Sequence, residues 1–269
     1  MSDMNWNRCP LSSESAQRRD QGGRWTVLGD AQTPRVEFQR LGGIAVDHKD
    51  NLYVVDAYYN RVQKWSRRGK WELFARTGNA PGETIAPKDV AVDESDNIYL
   101  IDDSLTVGRL QKRLRSGDWT VLAEAETGQD PMGRPFLVAA DLRGNAYVFD
   151  WLKDQSRLRM LDSQGHWTNV AAQGTELGRI SSYIAGIATD ANGRLYVADS
   201  GNSRVQVREA DGKWFLLAAA DTGVPGPSSP SGMVVDRHGV VYVTDGSQPR
   251  VLSWTPEKKS VDQAKAKQR

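Results

Sequence analysis

The sequence has one cysteine and three histidines among 269 residues, and this scarcity excludes several classes of site. Cys9 cannot form a disulfide within the chain, and no histidine or acid is spaced around it as a nucleophile's partner. Zinc-spaced cysteines, H-E-x-x-H, G-x-S-x-G and the phosphate-binding G-x-x-x-x-G-K-[ST] motif are also missing. We therefore expect no cofactor. Enzymatic activity is still an alternative at this point, although the absence of these catalytic motifs argues against it.

The chain also lacks an excess of either charge and any long apolar run. Lys and Arg total 35 against 34 for Asp and Glu, so no global field favours nucleic acid or an acidic membrane surface. No segment approaches the roughly 20 apolar residues of a membrane span, and the first forty residues lack the apolar core of a secretory signal. We expect no membrane insertion and, unless the chain is a fragment of a secreted protein, a cytoplasmic location.

What the sequence does contain is a repeat. A short apolar run ending in aspartate occurs five times, as GGIAVD, KDVAVD, FLVAAD, AGIATD and SGMVVD. The closing aspartates are 46 to 49 residues apart and are Asp47, Asp93, Asp141, Asp190 and Asp236. Periods of this length are typical of solenoids and propellers.

Each repeat contains four short segments rich in β-branched and aromatic residues. After the first run come a polar turn, a tyrosine-bearing run such as LYVAD, a run opening with arginine such as RVQVR, and a Gly-x-Trp turn into a fourth run. Such runs, punctuated by Gly, Asn and Asp, indicate antiparallel strands. The sequence therefore predicts an all-β fold, a single β-propeller of five four-stranded antiparallel blades.

The two ends of the repeat array suggest how the ring closes. A Gly-x-Trp turn at residues 23–25 precedes the first complete repeat, whereas the last repeat has none. We predict that this N-terminal strand supplies the outer strand of the final blade and closes the ring. The predicted domains are a polar N-terminal segment (1–21), the propeller (22–255) and a polar C-terminal tail (256–269), which is compatible with a link to a further domain.

The recurring strings resemble the NHL repeat. The pattern P-x-G-[IVM]-A-V-D, followed by x-G-N-[IL]-Y-V-A-D-S-G-N-x-R-V-Q, has its closest copy at Ser181 to Val207, and the resemblance covers about residues 40 to 255. NHL propellers are usually six-bladed, so six blades are the alternative to five. The resemblance implies a protein-interaction, sensor or RNA-binding module or, in related propellers, a metal-dependent lyase or lactonase.

The alternative functions find little support in the residues. Of the three histidines, His48 and His238 fall in first hairpin turns while His166 lies in a peripheral turn, so the three cannot converge and we predict no metal site. The repeated aspartates serve the same turn in every blade, which favours a structural role. A metal-assisted lyase, hydrolase or lactonase is the first alternative. RNA binding is the second alternative, and it is disfavoured because acidic residues interrupt the basic loops.

An acid and a base also recur across the hairpin between the second and third strands. We interpret these pairs as ion pairs or Asp-capped turns that set the hairpin, worth about 0 to 1 kcal/mol if exposed. They lie five or seven residues apart and are Asp56 and Arg61, Asp102 and Arg109, Asp150 and Arg157, Asp199 and Arg204, and Asp245 and Arg250.

The long linking loops differ from blade to blade, as binding loops on a rigid scaffold do. We predict a noncatalytic binding or scaffold module that recognises a protein or another ligand, rather than nucleic acid, through these loops at the channel mouth. Phe38 and Phe136 are candidate apolar anchors. The candidate ligand-binding residues are Arg40, Tyr58, Tyr59, Lys88, Arg134, Trp151, Arg179 and Tyr183.

Overall fold

The computed structural model is all-β, and among the described residues the one helical element is a 3₁₀ turn at Ser200–Asn202. The described residues are 15–19, 23–30, 38–103, 108–124, 132–219, 226–236 and 238–255. The chain divides into two compact units, Met1–Gln173 and Gly174–Arg269.

The first unit contains an N-terminal hairpin and three blades. The hairpin consists of β1 (Ser15–Arg19) and β2 (Trp25–Asp30). Blade 1 has β3 (Leu41–Val46), β4 (Leu52–Asp56), β5 (Arg61–Trp65), β6 (Trp71–Thr77) and a short parallel β7 (Glu83–Thr84). Blade 2 has β8 (Pro87–Val92), β9 (Ile98–Asp103), β10 (Gly108–Arg113) and β11 (Trp119–Glu124). Blade 3 has β12 (Arg134–Ala140), β13 (Ala146–Leu152), β14 (Gln155–Leu161) and β15 (Trp167–Ala172).

The second unit contains two blades. Blade 4 has β16 (Gly186–Thr189), β17 (Leu195–Asp199), β18 (Arg204–Arg208) and β19 (Trp214–Ala219). Blade 5 has β20 (Pro230–Val235), β21 (Val241–Asp245) and β22 (Arg250–Trp254). Consecutive strands of blades 4 and 5 pair antiparallel, as do those within each blade of the first unit apart from the parallel pair β6–β7. The predicted five-bladed β-propeller is confirmed.

The second strands of blades 1 to 4 lie largely in the core, whereas β21 of blade 5 alternates buried and exposed residues. All five residues of β4 and of β17 are buried, because both faces of these strands are covered. Apolar clusters fill the space between neighbouring blades of the same unit. Between blades 1 and 2 the cluster includes Tyr53, Val62 and Leu100. Between blades 4 and 5 it includes Tyr196, Val205, Val207, Val241 and Val243.

Among the described residues, the predicted pairing of the N-terminal strand with blade 5 is not found. β2 pairs with β1 in a separate two-stranded sheet, and the described part of blade 5 has three strands. β1 also lies within residues 1–21, which we had placed outside the propeller. The hairpin partner could not be seen in the sequence because SAQRR lacks the apolar pattern of a strand. The predicted tail, 256–269, lies outside the described residues.

His48 links the first hairpin turns of blades 1 and 2. Its Nε2 lies 2.6 Å from Glu94 Oε2 and its Nδ1 lies 3.1 Å from Asp96 Oδ1. The hydrogen bonds to Asp96 and then to Glu94 raise the pKa of His48 above its usual value. His48 therefore bridges two carboxylates of the neighbouring blade, and these contacts are ion pairs when the imidazole is protonated.

We expect this link to make stability depend on pH. Because the folded-state pKa is raised, the stabilisation is fully present below pH 6.5 and is lost as the pH rises through the folded-state value. The exposed pair contributes about 0 to 1 kcal/mol. Thermal unfolding measured at pH 6 and pH 8.5 should show a smaller decrease in melting temperature with rising pH in His48→Gln than in the unsubstituted protein. An identical decrease in the two proteins would contradict the link.

Candidate functional site

The repeated turn aspartates use their oxygens to hold the turn itself. Asp47 accepts backbone N–H groups of Lys49 and Asn51, each at 2.9 Å, and the hydroxyl of Tyr53 at 3.1 Å. The same three kinds of contact recur at Asp93, Asp141, Asp190 and Asp236. These carboxylates are structural caps, and their recurrence separates them from any singular site.

The second set of repeated charges forms five ion pairs. The nitrogen to oxygen distances are 3.0 Å for Asp56–Arg61, 3.0 Å for Asp102–Arg109, 2.8 Å for Asp150–Arg157, 3.0 Å for Asp199–Arg204 and 3.0 Å for Asp245–Arg250. In each pair, the aspartate of the second strand lies directly opposite the arginine of the third strand. The pairs therefore span the hairpin as the sequence suggested.

These pairs also hold the loop that enters the blade, which the sequence did not indicate. The Arg204 guanidinium donates to the carbonyl oxygens of Thr175, Glu176 and Arg179 at 2.7 to 2.9 Å. Asp199 accepts the N–H of Ser181 at 2.9 Å. Because the loop covers the pair, the Asp199 side chain is 0 % exposed, and the value we gave for an exposed pair does not apply.

A cluster that does not repeat lies where blades 2 and 3 meet. We call it the Arg134 cluster, and it comprises Lys88, Asp103, Arg134, Phe136 and Trp151. Arg134 Nη2 lies 3.0 Å from Asp103 Oδ2, and Lys88 Nζ lies 3.6 Å from the same oxygen. Both cations lie 5.9 Å from the Phe136 ring centroid, and that ring is 5.4 Å from Trp151.

Strand ends bring these five side chains together. Lys88 is near the start of β8 and Arg134 starts β12, while Asp103 ends β9. Trp151, near the end of β13, is the register partner of Arg134. In a blade the first strand starts where the second ends, so these residues share one edge of blades 2 and 3.

The electrostatics of the cluster leave one positive charge in excess. The buried Asp103 carboxylate raises the pKa of Arg134 through a hydrogen bond and Coulomb attraction. The Arg134 side chain is 59 % exposed, and its Nη1 has no hydrogen-bond partner among the described residues. A guanidinium that is anchored on one side and open on the other suits a carboxylate, and the adjacent aromatic rings suit an apolar neighbour.

The other candidate residues form two further groups. In the first unit, the Arg40 carbonyl accepts the N–H of Ala57, and the Tyr58 and Tyr59 rings meet edge to face at 5.0 Å. Tyr58 is exposed. In the second unit, the Arg179 carbonyl is held by Arg204, and Tyr183 is exposed. Among the candidate residues, direct contacts join Lys88 and Arg134 through Asp103, and Arg134 and Trp151 through Phe136.

Two carboxylates of interest were missed in the sequence. Asp103 follows the repeated Asp102 and so reads as part of a turn. Asp89 occupies the repeat position that is glycine at Gly43, Gly186 and Gly232. Its oxygens accept the N–H groups of Val90 at 2.9 Å and Val138 at 3.0 Å. Burial raises the pKa of Asp89 to about 7. The signal for both residues was a departure from the repeat.

Two further properties of the described residues concern metal ions and membranes. Among the described ranges, no group of three or more His, Cys, Asp or Glu side chains is placed to hold a metal ion. In the same part of the chain, no helix has the length and apolar character needed to cross a membrane.

Comparison with known proteins shows what the chain is similar to. Residues 182–207 match the NHL repeat. No curated protein sequence matches the chain. Among solved structures, the nidogen/laminin complex has a chain with a TM-score of 0.64 at 19 % identity, covering 86 % of this chain and 80 % of that one.

Two enzymes share the fold at similar levels. A gluconolactonase from Xanthomonas campestris has a TM-score of 0.64 at 16 % identity, covering 88 % of this chain and 77 % of its own. A virginiamycin B lyase from Staphylococcus aureus has a TM-score of 0.59 at 12 % identity, covering 87 % and 71 %. At these identities the likeness concerns the fold, which is common to binding proteins and enzymes.

Proposed function

We propose that this chain, an NHL-repeat β-propeller, is a noncatalytic binding module whose contact point for a protein partner is the Arg134 cluster. The observation that carries the proposal is the buried Asp103 carboxylate, which fixes two cations above an aromatic ring at one blade edge. The repeated charged residues of the blades cap turns or form ion pairs across hairpins. The Arg134 cluster does not repeat, carries an excess positive charge and exposes the Arg134 side chain, as a recognition site on a repeat scaffold should.

The chemistry of the cluster indicates the kind of group it would accept. Arg134 Nη1 has no hydrogen-bond partner among the described residues, and Arg134 and Lys88 both lie above the Phe136 ring. An aspartate or glutamate of a partner protein, next to an apolar side chain, would satisfy both features. The use of a similar propeller in the nidogen/laminin complex supports a protein partner over a small ligand.

Charge reversal at Arg134 tests the proposal. The immobilised chain is incubated with an extract of its source cells, and captured proteins are quantified by mass spectrometry for the unsubstituted protein and Arg134→Glu. We expect Arg134→Glu to reduce capture of the specific partner about 10- to 100-fold, since a charge-assisted hydrogen bond is lost and a repulsion gained. Arg115→Glu, in an exposed turn of blade 2, is the matched control and should leave capture unchanged.

Several results would reject the proposal. Equal loss of capture in Arg134→Glu and Arg115→Glu would indicate nonspecific attraction to a basic surface. A stoichiometric metal retained by protein purified without an affinity tag would instead favour the lyase or lactonase alternative. Capture that disappears after nuclease treatment and weakens steeply with salt would favour RNA binding.

A further inference from the structure

The hairpin β1–β2 has the features of the outer half of a blade. β2 opens with Trp25, as the fourth strands β6, β11, β15 and β19 open with tryptophan. The register of β1 and β2 shifts between Ala16 and Gln17. The corresponding shift in complete blades falls between Val62 and Gln63, Leu110 and Gln111, and Val205 and Gln206. β1 and β2 therefore correspond to a third and a fourth strand.

This hairpin packs on blade 1 as the outer half of a neighbouring blade would. Ala16 and Leu28 join a cluster with Val54 and Trp65 of blade 1. Trp71 Nε1 donates to the Leu28 carbonyl oxygen at 2.7 Å. The outer half of this blade face is therefore covered.

The inner half of the same face is uncovered. Ile44 and Val46 of β3 are 59 % and 57 % exposed, whereas Val90 and Val138, at the position of Ile44 in blades 2 and 3, are 3 % and 4 % exposed. Among the described residues β1 pairs with β2 alone, so its other edge keeps free N–H and C=O groups. A free strand edge beside an exposed apolar surface is the arrangement that accepts an added strand.

We propose that this inner position binds an antiparallel β-hairpin from another polypeptide, equivalent to the first two strands of a blade. Its first strand would cover Ile44 and Val46 with apolar side chains, and its second strand would pair with the free edge of β1. The binding position is separate from the Arg134 cluster, and the proposal does not rest on the proposed function.

The complete blades specify one side chain of this hairpin. In all four complete blades the second strand carries a tyrosine at one register position, and its third-strand partner is Lys64, Lys112, Met160 or Val207. In blades 1 and 2 the lysine Nζ lies 5.7 Å and 4.9 Å from the tyrosine ring centroid. Arg18 of β1 occupies the corresponding third-strand position, two residues after Ala16. The incoming second strand should therefore carry a tyrosine, or another aromatic residue, opposite Arg18.

Charge and sequence favour a separate hairpin over other occupants. A second copy meeting the first through β1 would bring two basic strands together, which is repulsive, because SAQRR carries two arginines and no acid. Residues 256–269 contain no tyrosine and a single valine, so they lack the apolar pattern of first and second strands. An NHL-type inner hairpin has both the apolar strand and the tyrosine.

A peptide supplies such a hairpin for the test. The peptide of residues 183–199 contains a first strand, a turn and a second strand with tyrosine. We expect saturable 1:1 binding of the labelled peptide to the full chain by fluorescence anisotropy. Ile44→Lys should weaken binding at least about tenfold, because a buried apolar contact is replaced by a charge. Leu142→Lys, an exposed site in a blade 3 turn, should leave binding unchanged.

A second peptide, in which Tyr196 of the second strand is replaced by serine, should also bind more weakly than the parent. The proposal is overturned if the parent peptide does not bind, or if Ile44→Lys and Leu142→Lys bind it equally. It is also overturned if sedimentation shows a dimer of the chain that Ile44→Lys dissociates, since the surface would then belong to a second copy.

Discussion

Replacing Asp199 by asparagine should lower the free energy of unfolding by about 3–5 kcal/mol, the usual cost of breaking a buried ion pair. Asp199 accepts hydrogen bonds from Arg204 Nε at 3.0 Å, Gln206 Nε2 at 3.1 Å and Asn202 Nδ2 at 2.8 Å. Asparagine retains the shape of the side chain but leaves the Arg204 guanidinium buried without its counter-charge. The variant also turns an amide N–H toward these donors.

Urea unfolding of Asp199→Asn and Asp211→Asn measures this difference. Asp211 pairs with Lys213 at 3.0 Å, and both side chains are exposed, so its replacement should change stability by about 0 to 1 kcal/mol. A loss in Asp199→Asn as small as that in Asp211→Asn would show that the repeated pairs act only as surface pairs. The loop from Thr175 to Ser181 should also become more susceptible to proteolysis in Asp199→Asn.

Relative to the unsubstituted protein, replacing Asp89 by asparagine should be more favourable to stability at pH 8 than near pH 4, by about 1–4 kcal/mol. The buried carboxyl group has a pKa of about 7 in the folded state, against an ordinary value of 3.8. Between these values the folded state holds a proton that the unfolded state has released. Stability therefore falls as the pH rises from about 4 to 7, and the full cost is present above pH 7.

Denaturant unfolding at pH 4 and pH 8 gives this comparison. Asparagine is neutral at both values, so the gain should appear only where Asp89 is ionised. Asp118→Asn, in an exposed turn of blade 2, is the control and should show no such pH-dependent gain. An Asp89→Asn variant that is equally stable relative to the unsubstituted protein at both pH values would contradict the burial of an ionised carboxylate.

The repeat made the blades predictable. In blade 4, LYVAD forms β17 and RVQVR forms β18, and Asp190 caps the turn before β17. These features depend on residues within about ten positions of one another, which local sequence patterns describe well. Asp199 and Arg204 lie opposite each other across a short hairpin, and their five-residue spacing in the sequence was enough to suggest this pairing.

Contacts between blades were not predictable in the same way. The Arg134 cluster joins Lys88, Asp103 and Arg134, which three separate strands contribute, and neither the aspartate's burial nor its partners leave a local pattern. β1 was missed because SAQRR is polar, and it becomes a strand by pairing with β2 and packing Ala16 on blade 1.

The amino-acid sequence alone determined the all-β class, the five repeats, the turn caps and the pairing across each second hairpin, because each is a short-range pattern repeated five times. Only the tertiary structure decided which charges are buried, which candidate residues touch and which blade face stays open. Those properties depend on residues that are far apart in the chain. A linking loop or a neighbouring blade, not the adjacent residues in the sequence, determines how exposed a charged side chain is and how much its ion pair contributes to stability.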